Sequence, residues 1–170
     1  MTCLAALRHR GKVWMGGDGC ESLDGGFVAI TEPKVWRAGK YIIGHCGDGR
    51  ACQLIKHTFE PPEYNGGGMV FMVSEFVPPL LELINGFQGE DDFDVGLLVG
   101  INSRLFEIDG DGCVTEKRYT ATMGSGGAIA LGNLEATADL PPRDRIEAAL
   151  IASAKHRNDV SEPFTIMRTR

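Results

Sequence analysis

The sequence predicts an α+β domain of four layers, two β-sheets packed face to face with helices outside both. Three observations predict it. Strand-like runs alternate with pairs of helical segments, in the order strands, two helices, strands, two helices and a last strand. Two of the strand pairs are joined by short turn signals and read as hairpins. The 170 residues, 43% of them hydrophobic, hold no internal repeat and no linker, so residues 1–170 form a single domain with a sizeable core.

Each element has its own reason. Residues 3–8 and 12–17 are apolar-rich runs joined by His9-Arg10-Gly11, the first hairpin. Residues 27–30, 34–37 and 40–44 are shorter strands. Residues 48–59 have helical spacing, with Leu54, Ile55, Thr58 and Phe59 on one side. Residues 61–68 (PPEYNGGG) are too rich in turn formers for anything but a loop. Residues 69–87 are apolar enough for a buried helix, but Pro78 and Pro79 fall inside it. A proline costs about 3 kcal/mol in a helix interior, so a break or a strong kink is expected there. Residues 93–101 (FDVGLLVGI) read as a buried strand, and residues 104–108 and 113–118 flank Asp109-Gly110-Asp111-Gly112 as a second hairpin. Helical pattern runs from Ser125 to about Thr137 and again after Pro141-Pro142 to about His156, and residues 163–169 close as a strand.

Composition excludes several classes of function. The net charge is −6 and no lysine or arginine run exceeds two residues, which argues against nucleic acid and anionic membrane surfaces as partners. Five cysteines, an odd number with no CxxC pair, point to reduced thiols and a cytoplasmic compartment. No signal peptide is visible, and no apolar stretch is expected to approach the roughly 18 residues of a membrane span. Asp109 to Gly112 imitate the opening of a calcium loop, but the twelfth position, which needs a bidentate glutamate, is Thr120. Residues 44–49 lack the Gly-Lys-Ser/Thr ending of a phosphate loop, and the four histidines have no metal-ligand spacing. No metal and no cofactor are therefore expected.

The chemistry-bearing pattern is Thr2 directly behind Met1, followed by Asp18 and Lys34. Removal of Met1 would make Thr2 a nucleophile carrying its own base, because an α-amine titrates near 8 in general and accepts a proton at neutral pH. A lysine beside that amine would lower its pKa by like-charge repulsion, and a carboxylate would hold the lysine in place.

With those residues go five segments in register: TCLAALRHRGKVWMGGDG, PKVWR, GHCGDG, MGSGGAIALG and HRNDVSEP. Together they make the chain resemble the β-type subunits of proteasomes and the short bacterial ring protease HslV, over nearly its whole length. The resemblance implies the αββα sandwich of N-terminal nucleophile hydrolases and a threonine-type endopeptidase. It implies Thr2 as nucleophile, Asp18 and Lys34 as the pair that orders its amine, and Gly47 as the donor to the oxyanion. Ser125 and Ser161 match two serines of the network around the amine. Ser22 matches the residue whose backbone holds the substrate strand, and His45 and Cys46 fall where the pocket for the residue before the cut bond is shaped. The implied setting is a homo-oligomeric ring acting on peptides or unfolded protein, with access controlled by an ATP-dependent unfoldase. Asn158 stands where proteasomes carry an aspartate, and the neighbouring Asp159 is expected to point elsewhere. The alternatives are an inactive structural subunit that keeps Met1, and a small-molecule amidohydrolase on the same fold.

Overall fold

The computed structural model describes residues 1–23, 26–87 and 94–170. The first hairpin is β1 (Leu4–His9) and β2 (Lys12–Gly17), turned by Arg10 at φ 45° and Gly11 at φ 77°. Two successive residues with positive φ match the right-handed twist of the strands they join. A two-stranded ribbon follows, β3 (Cys20–Leu23) with β4 (Gly26–Ala29). The second sheet runs in chain order: β5 (Val35–Ala38), β6 (Tyr41–Gly47), β7 (Val95–Ile101), β8 (Arg104–Ile108) and β9 (Val114–Lys117), every pairing antiparallel. The first sheet is completed from far along the chain by β10 (Thr120–Met123) beside β1 and β11 (Thr165–Arg168) beside β2.

Strand alternation then builds the layers. Along β1, Ala5 and Leu7 join Ala130, Leu134, Ile146 and Leu150 of α4 (Gly127–Ala136) and α5 (Pro142–His156). Leu4 and Ala6 face the other way and meet Ile42, Leu98 and Leu105 of the second sheet. Along β6 and β7, Ile43, Leu97 and Val99 look outward to Ile55, Phe76 and Leu80. These last side chains come from α1 (Gly49–Thr58) and from the helix of residues 69–87. Both sheets are buried on both faces, which is why their strands read as continuous apolar runs. The result is the predicted order of layers: helices, sheet, sheet, helices.

The prolines give a different answer from the expected break. The segment is one continuous helix, made of α2 (Met69–Phe71), a π-helical turn (Met72–Phe76) and α3 (Val77–Phe87). The N–H of Val77 reaches back five residues to the Met72 carbonyl just before Pro78 and Pro79. The wider turn loosens the ladder where two N–H groups are missing, and Val73, Ser74 and Glu75 lie exposed, so carbonyls left without partners there meet water. Met69–Gly86 is 18 residues long and apolar enough to cross a membrane, which corrects the expectation that no stretch approaches that length. Its inner face, including Phe71, Met72 and Ile84, belongs to the core.

Two strands, β3 and β10, have no counterpart among the predicted elements, both being four residues long with weak alternation. Phe93, expected to begin a strand, lies outside the described residues, and β7 starts at Val95.

Candidate active site

The end of β2 and the start of β5 set the centre of the site. Asp18 follows β2 and is buried, and Lys34 precedes β5 and is buried too. The Lys34 Nζ donates to Asp18 Oδ1 and Oδ2, both at 3.1 Å, and to the carbonyl of Met1 at 2.8 Å. Asp18 Oδ1 also accepts from the Cys3 N–H at 2.8 Å and Oδ2 from the Cys20 N–H at 3.1 Å. A buried ion pair is tolerable only when its remaining donors and acceptors are satisfied, and these are. The pair thereby ties the backbone on both sides of Thr2.

Thr2 itself is buried, and its Oγ1 donates to the Met1 carbonyl at 2.6 Å. Its own carbonyl accepts from the Gly126 N–H at 3.2 Å and from the Ser125 hydroxyl at 3.3 Å. The loop before α4 can come this close because Gly124, at φ +86°, has no Cβ; one placed there would strike the Thr2 carbonyl oxygen. With Met1 in place the Thr2 nitrogen is an amide, so the base that the chemistry needs is released only when that bond is cut.

A further carboxylate was missed in the sequence. Asp159, 1% exposed, takes both oxygens to Arg157, with Nε and Nη2 each at 2.7 Å, and lies near the Ser125 hydroxyl, whose proton goes to the Thr2 carbonyl. The Arg157 bond, and after it the Ser125 hydroxyl, outweigh burial and bring its pKa down to about 2. This corrects the expectation that Asp159 points elsewhere. Arg157 follows α5 in extended geometry and residues 158–159 form a turn, which leaves Asn158 exposed and buries Asp159 against the Arg157 guanidinium. The usable signal was an arginine two residues from an aspartate just past a helix end.

The other predicted residues divide. Gly47 closes β6, exposed and at φ +115°, at the mouth of a recess of about 550 Å³ that also borders Thr2, Lys34 and His45. His45 lies against the Trp36 ring, centroids 5.5 Å apart. Burial first, then the nearby Lys34 and Lys56 charges, lower its pKa to about 4, so it is neutral at pH 7. Cys46 does not shape the recess. It alternates to the opposite face of β6 and packs with Met123 in the layer between the sheets, where burial raises its thiol to about 11. The Ser161 hydroxyl donates locally to the Glu162 carbonyl at 3.2 Å, while the Ser161 carbonyl accepts from the Gly19 N–H at 3.0 Å, next to Asp18. Ser22 lies in β3, whose pairing among the described residues is with β4, so its other edge is open.

The sequence matches no family model and no curated protein sequence. Its fold does match solved structures. Thiobacillus denitrificans BPH in complex with epoxomicin superposes at a TM-score of 0.80 with 16% identity, covering 99% of this chain and 98% of that one. The eukaryotic HslV from Trypanosoma brucei gives 0.71 with 18% identity over 98% of both chains. Anbu, the ancestral beta-subunit from Yersinia bercovieri, gives 0.71 with 17% identity over 98% of this chain and 81% of that one. The chain thus has the fold of the proteasome-like N-terminal nucleophile hydrolases.

Proposed function

We propose that this chain is a threonine-type peptidase in which Thr2, freed of Met1, is the nucleophile. The observation that carries the reading is the Lys34 ammonium, held by both Asp18 oxygens at 3.1 Å and 2.8 Å from the Met1 carbonyl that caps Thr2. In the proposed reaction the Thr2 Oγ1 attacks a peptide carbonyl and passes its proton to the free α-amine of the same residue. Charge that develops on the carbonyl oxygen is taken up by the backbone N–H of Gly47, a contribution of about 3 kcal/mol in comparable sites. The leaving amine takes the proton from the α-ammonium as the C–N bond breaks, and an ester on Thr2 remains. Water, deprotonated by the same amine, attacks that ester and releases the acid.

Ser125 and Asp159 position the Thr2 backbone in this reading, and the open edge of β3 at Ser22 takes an extended substrate by strand addition. The likeness of this fold to those of HslV and BPH supports assembly into a ring of identical subunits, and an ATP-dependent unfoldase as gatekeeper belongs to the same proposal. Val70 and Val73, 73% and 54% exposed, give the helix of residues 69–87 an apolar outer face that such packing would cover. The free state of all five cysteines supports a cytoplasmic setting.

The test is intact mass followed by labelling with an electrophilic peptide. The expected result is loss of one methionine, a covalent adduct on Thr2, and a Thr2→Ala variant that folds but neither labels nor hydrolyses peptides. Met1 retained throughout with no adduct overturns the proposal and leaves a scaffold role.

A further inference from the structure

The recess beside Thr2 is not neutral ground. Its lining includes apolar surface from Ala29, Ile30 and Cys52, against which the methylene stem of a long side chain could lie. Two carboxylates, Glu21 and Glu32, line it as well. Glu21 stands in β3, and its Oε1 lies so close to Gly49 that a Cβ there would sit 3.1 Å from it. That places the carboxylate over the first residue of α1, where a helix N-terminus favours negative charge.

The cations in the same recess are already engaged. Lys34 is held by both Asp18 oxygens, a pairing that does not depend on Met1. Lys56 donates to Glu32 Oε2 at 3.1 Å and to the Pro33 carbonyl at 2.9 Å, and is itself mostly buried. His57 also meets Glu32 at Oε2, at 3.0 Å. Both contacts fall on one oxygen, so Oε1 of Glu32 keeps its acceptor capacity. His45 is uncharged. Among the described residues no ion pair engages Glu21. After Lys56 offsets Glu32 and Asp18 offsets Lys34, one negative charge remains with acceptor oxygens on two walls.

We infer that this recess selects peptides with a basic residue immediately before the cut bond, arginine foremost, with Glu21 and Glu32 as the residues that determine the choice. The inference rests on the peptidase reading above. Arginine suits it because a planar fork of five donors pairs with a carboxylate through two parallel bonds and keeps donors for a second acceptor, whereas a lysine ammonium is a point charge. An acidic side chain would bring like charge against Glu21, and a leucine would leave Glu21 without a counter-charge while Glu32 keeps Lys56 and His57.

The experiment uses full-length protein whose mass shows Thr2 exposed. Four fluorogenic peptides differ only before the scissile bond: Arg, Lys, Leu and Glu. An electrophilic peptide counts the reactive Thr2 in each preparation. The expected order of kcat/KM is Arg, Lys, Leu, Glu, with Arg at least about tenfold above Leu, a margin that shrinks as salt is raised. In Glu21→Gln and Glu32→Gln the Arg-to-Leu ratio falls by about tenfold or to near one, and Glu21→Lys turns the preference toward the Glu peptide. Labelled protein that prefers Leu, or a ratio unmoved by Glu21→Gln and Glu32→Gln together, overturns the selectivity and leaves the peptidase reading standing. Exposed Thr2 that takes no label overturns both.

Discussion

Lys34→Met puts the buried pair at the centre of the site to a quantitative test. The two side chains are 5% and 0% exposed, and the substitution keeps the length of the stem while removing the charge. Asp18 retains the Cys3 and Cys20 N–H donors but loses both contacts from the ammonium, so a carboxylate is left in the interior without a counter-charge. Breaking a buried pair from one side typically costs 3–5 kcal/mol, because the remaining charge keeps its desolvation penalty. With a urea slope of about 2 kcal/mol/M, that is a midpoint lower by roughly 1.5–2.5 M. Asp18→Asn combined with Lys34→Met removes both charges, and its loss should be smaller than the sum of the singles by about 2 kcal/mol or more. Urea denaturation of the four proteins of the cycle at pH 7 reads this directly. A Lys34→Met loss under about 1 kcal/mol, or a double variant whose loss equals the sum of the singles, would refute the reasoning.

Two further outcomes follow from single positions. Gly47→Ala forces a side chain into φ +115° and sets its Cβ against the Asp94 carbonyl oxygen, so the end of β6 must shift. The expected loss is about 1–3 kcal/mol in thermal denaturation, together with a fall in peptide turnover of roughly 10²-fold or more. His45, with its folded pKa lowered to about 4 from an ordinary 6.5, makes stability depend on pH with a definite sign. Above pH 6.5 neither state binds the proton. As pH falls toward 4 the unfolded chain takes it up and the folded one does not, so stability is lost across that window, by about 1–3 kcal/mol for this partly exposed ring. Denaturation midpoints at pH 7 and pH 4.5 should therefore fall further in the wild type than in His45→Gln. Asp159, with its pKa lowered to about 2, contributes stability that is lost only below about pH 4, outside the window.

Much of this was legible along the chain because it is local or periodic. The hairpin of β1 and β2 was carried by the turn at His9-Arg10-Gly11, and α1 by the helical spacing of Leu54, Ile55, Thr58 and Phe59, while the cap that Asp48 gives the Ala51 N–H at 2.9 Å was a local signal left unread. The four-layer order followed from runs of strands alternating with pairs of helices. Thr2, Asp18 and Lys34 were found from residue type and order, and the fold brings them together.

What the chain order could not decide is direction and distance. Whether Cys46 or His45 faces the recess depends on the phase of β6 against its neighbours, and a one-residue phase difference exchanges the two faces of a strand. Whether Asn158 or Asp159 is buried depends on where α5 ends and how the turn after Arg157 runs. The prolines of α3 were misjudged because a π turn one residue upstream absorbs them, an arrangement that helix–sheet packing selects and local propensity does not. The sequence alone therefore determined most of the elements, β3 and β10 excepted, and the residue types on which a chemical reading could rest. Only the tertiary structure decided which of them meet, because contact depends on the phase of each element, and that is set by partners more than a hundred residues away, as with Thr2 and Ser125.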